Sequence, residues 1–266
     1  MRYIEPHIHM VSRTTDDYID LATSGCVAVS EPAFWAGYDR CSVDGFRDYF
    51  NQLTKYEPLR AKKYGIKHYC WLCLNPKESE DLNLTREVLS LIPEYIKSPN
   101  VLGFGEIGLN RNTRNEFKAL EMHIELAAKL DVLILVHTPH LEDKLKGTRL
   151  TIEAIKNESR IKPERVIIDH AEEHTVKMIK DAGFWVGLTL YPQTKCTYTR
   201  AADIIEIYGS DKIMVNSAAD WGESVPMAVT YFAKEMRLRG HPDSVIEKIV
   251  YENPIKFFSQ SGKFVI

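Results

Sequence analysis

The sequence predicts an α/β protein of the (β/α)8 TIM-barrel class, on three observations. Short apolar runs alternate with longer amphipathic ones for eight rounds within 266 residues, the size and count of such a barrel. Runs such as 132–136 carry no polar alternation, which marks strands covered on both faces, as in a parallel sheet. Histidine and acidic residues recur where several of these runs end. A doubly wound open sheet shares the alternation and is the second reading. No Pro/Gly/Ser-rich linker, internal repeat or low-complexity tract divides the chain, so residues 1–266 read as one domain.

The elements follow in order. Tyr3-Ile4 is the end of a first strand, and Asp16 or Asp17 caps a helix stopped by Gly25. Strand two is 26–29, ending at Ser30-Glu31-Pro32. Phe46, Tyr49, Phe50, Leu53 and Tyr56 recur at helical spacing in a long helix over 44–64. Strand three covers 67–74 and the next helix 85–97. Strand four covers 101–106 and is followed by a helix over 115–130. Strand five is 132–136, and Thr148 caps a helix over 150–158. Strand six is 166–169, with a short helix over 175–182. Strand seven is 184–190, its helix 201–208, and strand eight 212–215. Helices over 225–238 and 243–250 follow, then one that Asn253 caps, with Pro254 in its first turn.

Composition narrows the function. With 44% hydrophobic residues the chain has a real core. The formal charge of -3 gives no broad basic face for long duplex nucleic acid. No apolar run approaches the roughly 18 residues a membrane span needs, so no membrane partner is expected. Met1-Arg2-Tyr3 leads straight into the first strand without a signal peptide, and five cysteines form no paired framework. A reducing cytoplasm is the expected location. Cys70-Trp71-Leu72-Cys73 has redox spacing but lies in a strand-like run, and reads as two buried thiols.

The chemistry sits at the strand ends. In Glu5-Pro6-His7-Ile8-His9, residues two apart face the same side of an extended chain, so both imidazoles present to one point. Strand four ends at Glu106, strands five and six at His137 and His170, and Asp220 lies just past strand eight. A barrel brings these six to one mouth. Four imidazoles and two carboxylates suit one or two divalent metal ions. Zinc is the expected ion, with manganese, magnesium, iron or nickel as alternatives. Around them, His140, His174, Glu31 and Trp221 fall on loops after strands and are candidate substrate contacts, as are Trp35 and Tyr191. Lys195 and Arg200 follow strand seven, where many barrels bind phosphate groups.

The chain resembles the TatD family of metal-dependent hydrolases, within the amidohydrolase superfamily. The resemblance rests on Pro6-His7-Ile8-His9, Gly105-Glu106-Ile107-Gly108-Leu109-Asn110, His137, Asp169-His170, and Glu252-Asn253-Pro254-Ile255-Lys256-Phe257-Phe258, in the right order over nearly the whole chain. It implies that His7 and His9 hold one metal with Asp220, that His137 and His170 hold the other, and that Glu106 bridges both. Hydrolysis by metal-activated water is the expected reaction, with Asp220 taking the proton and Glu106 the other catalytic carboxylate. Three departures stand out. The strand-eight E-T-D register of the family's nucleases is here Asn216-Ser217-Ala218, with the acid two residues later. The arginine of a strand-five His-Ser-Arg is absent from His137-Thr138-Pro139-His140. The strand-four G-L-D is Gly108-Leu109-Asn110. A small-molecule ester, amide, lactone or phosphoester is therefore expected as substrate over DNA. A DNase on DNA ends, a non-hydrolytic metal-binding pathway protein and a metal-assisted isomerase are the alternatives. Homo-oligomerisation stays open.

Overall fold

The computed structural model describes every residue, Met1–Ile266. Eight parallel strands lie in sequence order as one sheet. They are β1 (Tyr3–Glu5), β2 (Cys26–Glu31), β3 (Lys67–Leu72), β4 (Val101–Gly108), β5 (Leu133–His137), β6 (Val166–Ile168), β7 (Trp185–Thr189) and β8 (Ile213–Asn216). Neighbouring strands pair from β1 to β8. The seam between β1 and β8 is bridged just past the strand ends. There the Ala218 amide donates to the His7 carbonyl (2.8 Å) and the His9 amide to the Ala219 carbonyl (2.9 Å). The buried Glu5 carboxylate also accepts from the Ser217 amide (3.0 Å). The sheet is thus a nearly closed (β/α)8 barrel, as the strand count predicted.

Helices surround it: α1 (Thr15–Thr23), α2 (Val43–Asn51), α3 (Glu57–Lys62), α4 (Leu82–Tyr95), α5 (Arg114–Leu130), α6 (Lys144–Asn157), α7 (Glu173–Asp181), α8 (Tyr198–Tyr208), α9 (Ala228–Leu238), α10 (Asp243–Glu247) and α11 (Asn253–Phe258). None is long and apolar enough to cross a membrane. Several helix starts differ from the sequence reading because another side chain reaches the free amides. Thr14 caps α1 in a capping box with Asp17. Asp143 caps α6 by accepting from the Lys146 amide, so the helix begins six residues early and Thr148 is buried inside it. The helix expected over 44–64 is α2 and α3 joined through a π turn. A second π turn runs α10 into α11. Asn253 is therefore helical rather than a cap, and its side-chain Nδ2 donates to the Ser210 and Ile213 carbonyls.

The barrel interior is filled rather than hollow. Ile4, Ala28, Tyr69, Trp71, Leu102, Leu135, Ile167, Trp185 and Met214 pack there, with Phe257, Phe258 and Phe264 from the C-terminal segment. A larger cluster of 60 residues seals strands against helices, so the strand-end face is where chemistry has room. Cys70 and Cys73 are buried free thiols, as expected.

One buried histidine supports this frame. His123, on α5, accepts from the Leu74 amide at Nε2 (3.1 Å) and donates from Nδ1 to the Ala119 carbonyl (2.7 Å). Burial pushes its pKa down from 6.5 to about 4. The folded state therefore binds this proton less readily than the unfolded chain. The stability contributed is full above pH 6.5 and is lost as pH falls toward 4, about 3 kcal/mol in all. Urea unfolding at pH 7 and pH 4.5 tests this. The wild type should lose about 2 kcal/mol more between the two pH values than His123→Gln; equal losses would refute the role.

Candidate metal centre

At the strand-end face the chain brings His7, His9, Glu106, His137 and His170 together, all buried. The local sequence explains how. β4 shifts register between Phe104 and Ile107, a bulge that re-aims the Glu106 side chain. Gly108 lets β4 lie against β5, since a Cβ there would sit 2.1 Å from the His137 carbonyl oxygen. His170 takes a left-handed backbone (φ 57°), as does Ala218 at the mouth (φ 41°). Such strained non-glycine positions concentrate at functional sites.

Glu106 is the hub. Its Oε1 lies 3.0 Å from His170 Nε2, 3.4 Å from His137 Nδ1 and 3.4 Å from His7 Nε2. His7 Nε2 is 3.0 Å from His9 Nε2, and His170 Nε2 is 3.1 Å from His137 Nδ1. Burial pushes the Glu106 carboxyl up, but the positive charge that His7 and His137 carry when protonated, with hydrogen bonds from His137 and His170, outweighs it and holds the group well below the ordinary carboxylate range. Burial lowers the pKa of His9, His137 and His170, favouring neutral imidazoles.

The proton positions follow from the hydrogen bonds behind this shell. Asp169 Oδ1 accepts from the His170 amide (2.8 Å), Thr189 Oγ1 (3.0 Å) and Asn216 Nδ2 (2.9 Å). The Thr189 proton is thereby spent on Asp169, so at 2.7 Å Thr189 Oγ1 must accept from His170 Nδ1. Asp169 Oδ2 lies 2.5 Å from His7 Nδ1, which donates to it. Burial opposes ionisation of Asp169, yet His170, His7 and Asn216 hold its carboxyl far below the usual range. In their neutral forms His7 and His170 therefore carry the lone pair on Nε2, and both Nε2 atoms face Glu106 Oε1.

Neutral rings that turn Nε2 lone pairs to a carboxylate oxygen at 3.0–3.4 Å repel it unless a proton or a metal cation lies among them. His9 Nδ1 and His137 Nε2 are also buried with no hydrogen-bond partner. The donor set thus fits a metal. Three buried triads have ligand atoms close enough to share an ion: in His7–Asp169–His170 the Asp169 carboxylate is already engaged by the His7 Nδ1 hydrogen, and the other two, His7–His9–Glu106 and Glu106–His137–His170, meet at Glu106. Histidines whose second nitrogen is held by a carboxylate or hydroxyl are the usual supporting arrangement.

The other expected residues are spread differently. Asp220 lines the same pocket but joins none of the converging sets. Its Oδ1 accepts from Tyr191 Oη (3.1 Å) and the Gly222 amide (2.8 Å). His140 lines the pocket with Phe34, Trp35, Asn75, Lys77 and Lys195. Trp221 is half-exposed on the rim and packs on Phe34 (5.2 Å), which in turn stacks on His9 (3.9 Å). Glu31, expected at the mouth, is instead buried away from it, 2.7 Å from His68 Nε2 and accepting from the Val11 amide. His174 is exposed in the first turn of α7 and does not reach the pocket. Its neighbours Glu172 and Glu173 pair with Lys144 and Arg200, so Arg200 is spent on carboxylates.

The sequence reading assigned no role to Asp169, Thr189, Asn216 or Asn75. Asn75 donates to Glu106 Oε2 (3.3 Å) and to the Ala33 carbonyl (3.1 Å). The signal available was position, since each stands at or just past the end of its strand.

Comparison with known proteins gives the family. The family model for TatD related DNase matches residues 32–259. An uncharacterized metal-dependent hydrolase of Methanocaldococcus jannaschii is 30% identical over 215 residues, 79% of this chain and 82% of that protein. The crystal structure of a TatD-like protein from Archaeoglobus fulgidus superposes with a TM-score of 0.78 at 26% identity, covering 96% of this chain and 99% of the other. A phosphotriesterase homology protein from Escherichia coli, complexed with phosphate in its active site, gives 0.68 at 16% identity over 97% and 98% of the two chains, a likeness of fold. With its barrel, its histidine–carboxylate centre and these matches, the chain belongs to the TatD related DNase family and is a metal-dependent hydrolase.

Proposed function

We propose that this hydrolase cleaves an ester, amide, lactone or phosphoester bond of a small substrate at a centre held by His7, His9, Glu106, His137 and His170. The observation that carries this is the convergence of the His7 and His170 Nε2 atoms on Glu106 Oε1, with His9 and His137 beside them. Zinc is the ion the four imidazoles and one carboxylate favour, with manganese, magnesium, iron or nickel as alternatives. A bound divalent ion supplies Lewis acidity and makes water acidic near neutral pH. The chain's own residues do the rest. Asp220, with Oδ1 steadied by Tyr191 and Gly222, takes the proton of the attacking water and returns it to the leaving group. Phe34 and Trp35 on the pocket wall exclude bulk water.

Size favours a small substrate over a nucleic acid. The inner pocket holds about 30 Å³, room for one or two water-sized groups. An outer hollow of about 360 Å³ adjoins it through Trp35, Lys77 and His140, within the range of small-molecule sites. Four of the five free cysteines are buried, which suits a reducing cytoplasm.

The test is metal content per chain after purification without added metal, with hydrolysis assays on lactones, carboxyl esters, phosphodiesters and single-stranded DNA. The expected result is bound metal and turnover of a small ester, lactone or phosphoester with DNA intact. Asp220→Asn should keep the metal and lose turnover by at least about 10²-fold. DNA cleavage that depends on Glu106 would instead establish a nuclease, and a chain that takes up no zinc or manganese would refute the centre.

A further inference from the structure

Two ammonium groups at the mouth have no anionic partner. Neither Lys77 nor Lys195 forms an ion pair, whereas Arg13, Arg40, Lys144 and Arg200 nearby are each paired with a carboxylate. Both lysines line the pocket that contains Glu106, His137 and His170. Both are positioned by packing. Lys77 Nζ lies 4.9 Å from the centroid of Trp35, and Lys195 Nζ lies 4.8 Å from that of Tyr191. Cation–π contact of this kind orients an ammonium without neutralising it.

The backbone beneath Lys77 is tied to the metal centre. Asn75 accepts from the Lys77 amide through Oδ1 (3.1 Å) and donates to Glu106 Oε2 through Nδ2 (3.3 Å). One side chain thus fixes the lysine turn relative to the central carboxylate. His140 adds a polar atom to the same wall, since its Nδ1 is buried and has no hydrogen-bond partner. Lys77 and His140 line both the inner pocket and the outer hollow, while Lys195 lines only the inner one. Arg111, mostly exposed and 3.9 Å from Glu80, lies on the outer wall, as does Asp39, which is engaged by Trp35 Nε1 (2.9 Å).

Unpaired cations held beside a reaction centre raise the local concentration of anions and fix their orientation. We propose that Lys77 and Lys195, with His140, form an anion subsite, and that the substrate carries a phosphate or carboxylate group held there while its scissile bond lies at the metal centre. This rests on the hydrolase reading above and names the class of substrate it takes.

The probes are inorganic phosphate and succinate, titrated calorimetrically into the chelated chain and the zinc-loaded chain. Lys77→Met and Lys195→Met keep the aliphatic stem on its aromatic ring and remove only the charge. The chelated wild type should bind at least one anion. Each variant should bind it about tenfold more weakly, and the double variant not measurably. The tighter probe identifies the group the substrate bears. Zinc content per chain should be the same in all four proteins. Failure of the wild type to bind either anion would overturn the subsite, as would equal affinity in the double variant. Binding only to zinc-loaded protein, indifferent to both substitutions, would place the anion on the metal and overturn it too. In each of these cases normal zinc content leaves the hydrolase reading standing, whereas a wild type that takes up no zinc refutes that reading itself.

Discussion

Glu106→Gln abolishes metal retention and lowers turnover by at least about 10³-fold, while the metal-free chain stays as stable as the wild type or becomes more so. The two halves of this expectation have one cause. Glu106 Oε1 faces His7 Nε2, His137 Nδ1 and His170 Nε2 at 3.0–3.4 Å. In neutral His7 and His170 those nitrogens carry lone pairs, because Asp169 and Thr189 take the protons on the opposite side of each ring. Without a cation, the carboxylate is set against lone pairs in a buried space, at a cost in free energy. A glutamine can turn its NH2 toward them and donate hydrogen bonds, relieving that repulsion. It also removes the one negative charge shared by both ligand triads. Loss of supporting hydrogen bonds alone costs 10–100-fold in metal affinity, and a shared ligand must cost more. Metal content and thermal unfolding, each with and without chelator, check both halves. A glutamine variant with wild-type metal stoichiometry would refute the hub role.

The converging histidines and Glu106 were legible in the sequence and their supports were not, for a physical reason. His7, His9, Glu106, His137 and His170 announce themselves because a parallel barrel sends the ends of its strands to one face, and strand ends can be read from apolar runs. Glu31 shows the limit of that rule. Strand β2 runs on through Glu31, and side chains alternate along it. Ser30 turns inward to accept from Trp71 Nε1 (2.6 Å), so Glu31 turns outward to His68. One residue of strand length decided the face. Lys77 and Asn75 escaped notice because their importance lies in what they touch on the neighbouring strands and loops, and no spacing along the chain encodes it. Ala218, lining the pocket after β8, was legible as a missing acid. What the chain does with Asp220 instead depends on its loop, where Tyr191 and Gly222 fix the carboxylate.

Asp169→Asn should weaken metal binding by about 10²-fold, or ~2.7 kcal/mol, without touching any ligand atom. The carboxylate has a divided task. Oδ1 collects donors from the His170 amide, Thr189 and Asn216, so an asparagine must keep its oxygen there. That places its NH2 where Oδ2 had been, 2.5 Å from His7 Nδ1. An amide NH2 only donates, so His7 Nδ1 must become the acceptor and its proton must move to Nε2. A protonated Nε2 cannot ligate, and His7 leaves the set that includes His9 and Glu106. The reverse rotamer fares no better, since it presents NH2 to three donors at once. Nitrogen-resolved NMR of the histidine rings reads this directly, with the His7 signal expected to change from the Nδ1–H to the Nε2–H tautomer. Unfolding stability, which a loss of packing would lower, should move little because the two side chains have nearly the same shape. Enlarging Asp169 to glutamate should not rescue binding. The carboxylate fits only because residue 187 is glycine, where a Cβ would already lie 2.2 Å from Asp169 Oδ1. Retention of the Nδ1–H tautomer together with wild-type metal affinity would show that His7 is oriented by something other than Asp169.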